Sequence, residues 1–407
     1  MMKILVVHEV SYEKKVVYEI HEFPELLALR GHEVTFFEFD EGATRQSIAK
    51  PRDRYIQGRI HPDARIRLVT PHRFGFPALD RIWAIFSSIV PLRKLIKSGG
   101  FDVVLNYAVP TYGLQVNLLG KRYSVPVIQR ALDVASQIRE SFWNPLIGVF
   151  ERICFALATL VSTNNPAMTS YVTELMRGEI SSKIQLHYPP LDQRIFKEVP
   201  YDNQLAQNLG ISLSDRVIMY MGSFFYFSGL DEVIKQLPKF IANDPSIKLL
   251  LVGGGEQEQE LRTLVSELRI ENHVIFTGFV DFYELPRYMT LGSVAINPLK
   301  VSTVAGAAFP HKVLQYMAVG LPTVSTKLDG LYAAFGDESG IVWAHGTDEV
   351  LNKALDVSRQ SKEILGVQIR LQREVLESLF SVAVTVEKLE ESMYQLSKKR
   401  DKKWPKQ

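Results

Sequence analysis

Cysteine is almost missing from this chain: Cys154 is the single one among 407 residues. Its scarcity excludes an internal disulfide framework and any cysteine-built metal cluster, and it fits a reducing, cytoplasmic compartment. An excess of either charge is missing too. The 47 Lys and Arg against 45 Asp and Glu leave +2, so the composition makes no electrostatic case for a nucleic-acid partner. No long uncharged apolar run is present. MMKILVVHEV, at the start, is too short in its apolar core for a secretory signal and reads as a first buried strand. WNPLIGVFERICFALATLV, from Trp143 to Val161, carries Glu151 and Arg152 at its centre. A bilayer helix takes about 20 apolar residues without charges, so this stretch reads as a buried or interfacial helix. GxGxxG is absent as well, and with it the dinucleotide fingerprint.

What is there is alternation. A chain of 407 residues exceeds one ordinary core, and two domains of roughly 150–200 residues are expected. In the first half, short apolar β-branched runs predict strands over 3–7, 33–39, 65–69, 102–106, 125–129, 157–162 and 183–187. Amphipathic stretches over 17–30, 78–97 and 112–123 predict helices, the first stopped by Gly31. HYPPLDQRIFKEVPYDNQLAQNLGISLSD then breaks the pattern with three prolines and reads as a linker followed by a short helix. After it the pattern restarts, with strands over 216–221, 247–252, 273–277, 294–297, 322–325 and 340–343. Helices over 230–242, 256–268, 282–291, 310–319 and 347–357 separate them, and 362–399 is nearly all helical. Near-continuous apolar strands alternating with helices mean parallel sheets covered on both faces. The expected architecture is α/β, two Rossmann-like domains facing across a cleft, each able to hold one of two reactants at the carboxyl ends of its strands.

Four strand-to-helix connections are the candidate chemistry. In FPHKVLQYMAVGLPTVST, from Phe309 to Thr326, Pro310 suits the first helical position, and the small VAGAA before it (304–308, with Ala307 and Ala308) lets backbone approach a ligand. The free N–H groups and the dipole there favour an anion. At about 100° per residue, Val313, Leu314 and Met317 share an inward arc, while Lys312, Gln315 and Tyr316 share an outward polar one. An ammonium on that arc can meet a phosphate, and an amide can meet a diol. MYMGSFFYFSGLDEVI places Gly222 between a strand and a helix, the shape of a phosphate-facing turn. LLLVGGGEQEQEL does the same with Gly253 and Gly254. IFTGFVD ends a strand at Gly278, Phe279 and Val280, from which backbone groups can read a flat base. Each of the glycine turns, taken singly, reads first as an ordinary tight connection.

In order, RVIMYMGSF, IKLLLVGGGEQEQEL, HVIFTGFVDFYELPRYM, VAINP and FPHKVLQYMAVGLPTVST resemble the donor domain of the retaining GT-B glycosyltransferases of family 4. RGHEVTFFEF, VPVIQRALD, VSTNNPAMTSYV and HYPPLDQRIF extend the resemblance over most of the chain. It implies a GT-B fold: an acceptor-binding domain over 1–195, a nucleotide-sugar-binding domain over 196–375, and a C-terminal helix over 376–407 packing back on the first. It implies transfer of a sugar, with retention of configuration, from a UDP- or GDP-linked donor to a glycan or lipid-linked acceptor, in surface polysaccharide or glycolipid synthesis. Neither a metal nor another cofactor is implied.

The resemblance also exposes departures. Of the family's paired donor glutamates, the first position is Ala307 and the second Gln315. A carboxylate accepts from both hydroxyls of a ribose, whereas Gln offers one acceptor and one donor group. Ser223 and Ser228 stand near the family's Arg and Lys, which leaves Lys312 to neutralise the diphosphate and serve transfer. The glycine-rich loop of the first domain is replaced by HEVSYEKK, whose His8, Glu9, Tyr12, Lys14 and Lys15 are the acceptor-side candidates. The family's histidine falls near Leu132, making Asp133 the acidic catalytic candidate there. Three readings stay open: an active transferase; a GT-B protein binding a nucleotide sugar or a partner transferase without catalysis; and, with few acids to support it, a sugar-nucleotide epimerase. The helices at 78–97 and 143–161 mix aromatics with basic residues, and Lys14, Lys15 and the basic tail KKRDKKWPKQ are further candidates for peripheral contact with a membrane surface.

Overall fold

The structure, a computed structural model, describes residues 1–40, 51–72, 77–135, 143–301 and 306–403. It divides into two compact units, 1–190 with 382–407, and 191–381. The expected boundaries at 195 and 375 thus fall a few residues away.

The first unit holds an eight-stranded sheet. Its strands are β1 (Lys3–Val7), β2 (Glu33–Phe37), β3 (Arg52–Gln57), β4 (Arg65–Thr70), β5 (Val103–Asn106), β6 (Val127–Ala131), β7 (Leu160–Thr163) and β8 (Ile184–Leu186). They lie in the order β3-β4-β2-β1-β5-β6-β7-β8, and all pairs are parallel except β3 with β4. Successive side chains of β1 point to opposite faces. Ile4 and Val6 meet Phe23, Leu26, Val386, Leu389 and Met393 on one side. Leu5 and Val7 meet Ala84, Leu92 and Val116 on the other. Residues 382–403 therefore complete the first core from the far end of the chain.

Sequence pattern missed β3, because RDRYIQ is a charged, largely exposed edge strand of the kind that discourages further pairing. The helix expected over 78–97 is two, Pro77–Ser87 and Ile89–Ser98, with Ser88 buried at the joint. The apolar stretch from Trp143 is a helix only over Asn144–Leu157; its remainder is β7. Among the described residues no helix is long and apolar enough to cross a membrane.

A buried polar chain ties this unit together. The Arg130 guanidinium donates to both Glu19 oxygens at 2.7 and 2.8 Å, and also to Ser162 Oγ and the Thr163 carbonyl. Ser162 Oγ meets His187 Nδ1 at 2.8 Å, and His187 Nε2 meets Ser392 Oγ at 3.0 Å. Burial pushes the His187 imidazole down to about 3, with the nearby Arg130 and Lys388 charges adding to it, so it is neutral here.

The second unit repeats the architecture with β9 (Arg216–Met221), β10 (Ile247–Val252), β11 (Val274–Gly278), β12 (Val294–Asn297), β13 (Thr323–Thr326) and β14 (Val342–Ala344). All are parallel, in the order β11-β10-β9-β12-β13-β14. The sequence runs outward from β9 to β11 and then returns to the other side of β9. The reversal between β9 and β12 is the position where open α/β sheets bind ligands, at the carboxyl ends of the strands. Sequence pattern missed the short helix Asp329–Phe335, whose Phe335 stacks with Phe309 and Phe380.

Candidate functional site

Lys312 stands at the reversal point of the second sheet. It lies in the first turn of the helix His311–Ala318, which packs on β12 and β13. Its Nζ donates to the Tyr220 hydroxyl at 2.7 Å and sits 4.0 Å from the centre of that ring. Tyr220 in turn donates to the Ser223 carbonyl at 3.0 Å. Lys312 is half-exposed, yet the protein packed around its ammonium leaves it without a carboxylate partner and pushes it down to about 7. A diphosphate would reverse that shift, since an opposite charge favours the protonated form.

The remainder of the helix corrects the expected polar arc. Tyr316 is fully buried, and its hydroxyl accepts from the Met221 N–H at 2.7 Å. It fastens the end of β9 and faces no ligand. Gln315 is also largely buried, and its amide makes no hydrogen bond among the described residues. The polar atoms of that amide are not closed off from solvent, so a ligand hydroxyl has access to them. Pro310 is the N-cap, with extended backbone, and the helix starts one residue later than expected. Ala307 is buried and Ala308 partly so. The Phe309 ring packs on Phe335 and Phe380 at 5.9 and 5.6 Å, so it is a core residue and not a ligand wall. Val304 and Ala305 lie outside the described residues.

The glycine turns are explained by close backbone approach within the protein. At Gly222, φ is +137°, and a Cβ would lie 3.0 Å from Lys312 Nζ, so the missing side chain is what leaves room for the ammonium. At Gly253, a Cβ would lie 2.1 Å from the Gly222 carbonyl oxygen. The Gly222 N–H donates to Val252, and the Gly253 N–H to Gly278, so the ends of β9, β10 and β11 are laced together. Gly254 packs against the Phe279 ring; Phe279 is exposed and Val280 half-buried. Ser223 is half-buried. Ser228 is fully buried, and its Oγ has no hydrogen-bond partner among the described residues.

The first unit has its own edge at the carboxyl ends of β1, β5 and β6. The His8 ring stacks on Tyr107, with centres 5.4 Å apart, and its Nε2 meets the Tyr18 hydroxyl at 3.1 Å. Desolvation first, then the Lys15, His21 and Arg81 charges, push it down to about 3. Glu9 accepts from the backbone N–H groups of Val109 and Thr111 at 3.2 and 2.7 Å, bridging the reversal between β1 and β5. Its carboxyl is raised, chiefly by desolvation. Asp133 reaches solvent at the end of β6, but the surrounding protein, and less so the Glu19 charge, push it up to about 6.

One acceptor-side candidate is corrected. Tyr12 is a core residue whose hydroxyl donates to the buried Glu25 carboxylate. Lys14 is engaged with Asp40 at 2.6 Å. Lys15 is half-buried, and its carbonyl accepts from Arg59. Sequence reasoning missed Tyr220 as the partner of Lys312. The available signal was a hydroxyl-bearing ring in an otherwise aliphatic strand, two residues before Gly222. Among the described residues no group of three His, Cys, Asp or Glu side chains is placed to hold a metal ion.

Comparison with known proteins bears on this site. The family model described as Glycosyl transferases group 1 matches residues 202–362. N-acetyl-alpha-D-glucosaminyl L-malate synthase of Bacillus anthracis is 23% identical over 347 residues, 84% of each chain. Among solved structures, Anabaena HepE in complex with UDP-glucose superposes with a TM-score of 0.74 at 18% identity, over 97% of this chain and 100% of that one. Sucrose-phosphate synthase of Thermosynechococcus elongatus does so with a TM-score of 0.75 at 15% identity, over 97% and 99%.

Proposed function

From its relation to the group 1 glycosyl transferases and the GT-B fold it shares with HepE, we propose that this chain transfers a hexosyl group from a nucleotide sugar to a glycan or lipid-linked acceptor, with retention at the anomeric carbon. The observation that carries the reading is the pair of polar groups on one helix at the sheet reversal: Lys312, an ammonium bonded to Tyr220 with no carboxylate partner among the described residues, and Gln315, whose solvent-reaching amide makes no hydrogen bond among them. Lys312 would hold the diphosphate and stabilise it as it leaves; Gln315 would hold the ribose. The HepE complex with UDP-glucose favours a uridine donor over a guanosine one. Gly278, Phe279 and Val280, beside the ends of β10 and β11, would receive the base. His8, Glu9 and Asp133 are the acceptor-side groups, Asp133 with a carboxyl near pH 6 suited to exchange a proton. Surface polysaccharide or glycolipid synthesis is the proposed setting.

A second reading is binding of a nucleotide sugar without transfer, and Ala307 favours it, since it stands where the family carries an acid toward the donor sugar. Incubating the protein with UDP- and GDP-hexoses and following the anomeric proton by NMR separates the two. Release of an α-configured sugar from an α-linked donor supports retaining transfer; a β product contradicts retention. Binding without turnover, across a panel of glycan and lipid-linked acceptors, leaves the second reading.

A further inference from the structure

Strands β9, β12 and β13 are neighbours in the second sheet, and the connections that follow them open side by side at its carboxyl edge. Lys312 and Gln315 supply donors there, but the hydroxyls of a hexose also call for an acceptor. The acids that follow β9 are engaged: Asp231 and Glu232 pair with Lys300 at 2.9 and 3.5 Å. The connection after β12, residues 298–311, has no acid in its sequence. The connection after β13 has one, Asp329, at the start of the helix Asp329–Phe335.

Asp329 is exposed, and its carboxylate makes no hydrogen bond or ion pair among the described residues. It does not cap its own helix, whose N-cap is Leu328. Its place is set by the segment that leads to Lys312. A Cβ built on Gly306 would lie 3.4 Å from Asp329 Oδ2. At the other end of the helix, Phe335 stacks on Phe309 with ring centres 5.9 Å apart. The helix is thus laid along residues 306–309, with the Asp329 carboxylate beside Gly306. Ala307, the next residue, is buried and carries only a methyl group. Its side chain offers a ligand no acceptor, and the adjoining helix does.

We propose that Asp329 is the carboxylate that holds the sugar of the donor, accepting from its hydroxyls, and that it restricts the donor to neutral hexoses. The inference rests on the reading that Lys312 holds the diphosphate. The hexose is joined directly to that diphosphate, so the groups that hold it belong on the same sheet edge. A carboxylate accepts from two adjacent hydroxyls at once, and hydrogen bonds to a charged acceptor are the stronger ones. Asp329 gives up no bond within the protein when the sugar arrives. It meets a hexuronate as a like charge, and repulsion of that kind selects against the wrong ligand. The acid missing at Ala307 is supplied from the neighbouring helix.

Calorimetric titration of the full chain with UDP, UDP-glucose and UDP-glucuronate, and with GDP, GDP-mannose and GDP-mannuronate, tests it. Asp329→Asn keeps the shape of the side chain and loses its charge. It should lower affinity for the neutral nucleotide hexose about tenfold or more, as loss of a hydrogen bond to a charged group does, and leave the nucleoside diphosphate bound as before. Lys312→Met should weaken both. The native protein should bind the hexuronate form less tightly than the neutral one, and Asp329→Asn should close that gap. An unchanged melting temperature shows that the variant keeps its fold. Hexose affinity unaltered in Asp329→Asn, an equal loss of nucleoside diphosphate affinity, or native binding of the hexuronate as tight as of the hexose overturns the proposal and leaves the diphosphate reading standing. If no nucleoside diphosphate binds the native protein, that reading fails and this inference falls with it.

Discussion

A lysine held without a carboxylate is a liability for folding and an asset for binding phosphate. Lys312 ordinarily titrates near 10.5 and is pushed down to about 7 by burial. The unfolded chain therefore binds a proton between those values that the folded chain releases. Stability falls as pH drops from about 10.5 toward 7 and carries the full penalty below it. Lys312→Met, which cannot titrate, should raise the melting temperature, and by more at pH 6.5 than at pH 9.5. An equal effect at both pH values, or a loss of stability, would show that the ammonium is not strained. Periodicity pointed to Lys312 and Gln315 at this turn, and the structure puts both at the sheet reversal. It also placed Tyr316 beside them, because helical angle alone does not distinguish a hydroxyl facing a ligand from one bonded to the Met221 N–H. The Lys312–Tyr220 contact joins residues 92 apart in sequence, and no local pattern carries it.

At the scale of elements, the glycine turns were legible as turns, but their reason was not. Gly253 exists because the Gly222 carbonyl oxygen occupies the space of its side chain, at 2.1 Å from a built Cβ. Gly278 has nothing within 4 Å and only a φ of +72° to justify it. Gly253→Ala should therefore cost several times as much as Gly278→Ala, whose penalty is about 1–2 kcal/mol for a left-handed non-glycine residue. Urea unfolding of the two variants checks the order, and equal costs would refute the close approach. Strands buried on both faces were readable from their aliphatic runs. β3 was not, because its charged sequence reflects an edge and carries no alternation. The helix Asp329–Phe335 was lost for its length, two turns that offer too few residues for a period.

At the scale of the molecule, two parallel sheets were implied by the βαβ rhythm but their strand orders were not, while the assignment of the last helix was carried only by the family resemblance. Residues 382–403 belong to the first unit because Val386, Leu389 and Met393 fill its core. Arg30 and His32 add contacts to Glu390, each at 2.7 Å. Leu389→Ala should destabilise the first unit by about 2–5 kcal/mol, as for other fully buried leucines. Hydrogen exchange would show faster amides in β1 and β5 while those of β9 and β10 keep their protection. Loss of protection in the second unit alone would contradict the placement. Substrate and acceptor are written less plainly than fold, because Ala307, Ser223, Ser228 and Gln315 depart from the family pattern at the positions where the resemblance leads one to expect donor contacts.

The central claim is that the reversal point of the second sheet binds a nucleoside diphosphate through Lys312. Calorimetric titration with UDP, GDP and ADP at pH 8, in two buffers of different ionisation enthalpy, tests it directly. A Lys312 near pH 7 is mostly neutral at pH 8 and must take up a proton to meet a diphosphate. One nucleotide should bind with uptake approaching one proton, and Lys312→Met should abolish the uptake and weaken binding about tenfold or more, as loss of a charge-assisted contact of roughly 1.5–3 kcal/mol requires. Binding without proton uptake and unchanged in Lys312→Met, or no binding of any of the three, would contradict the account.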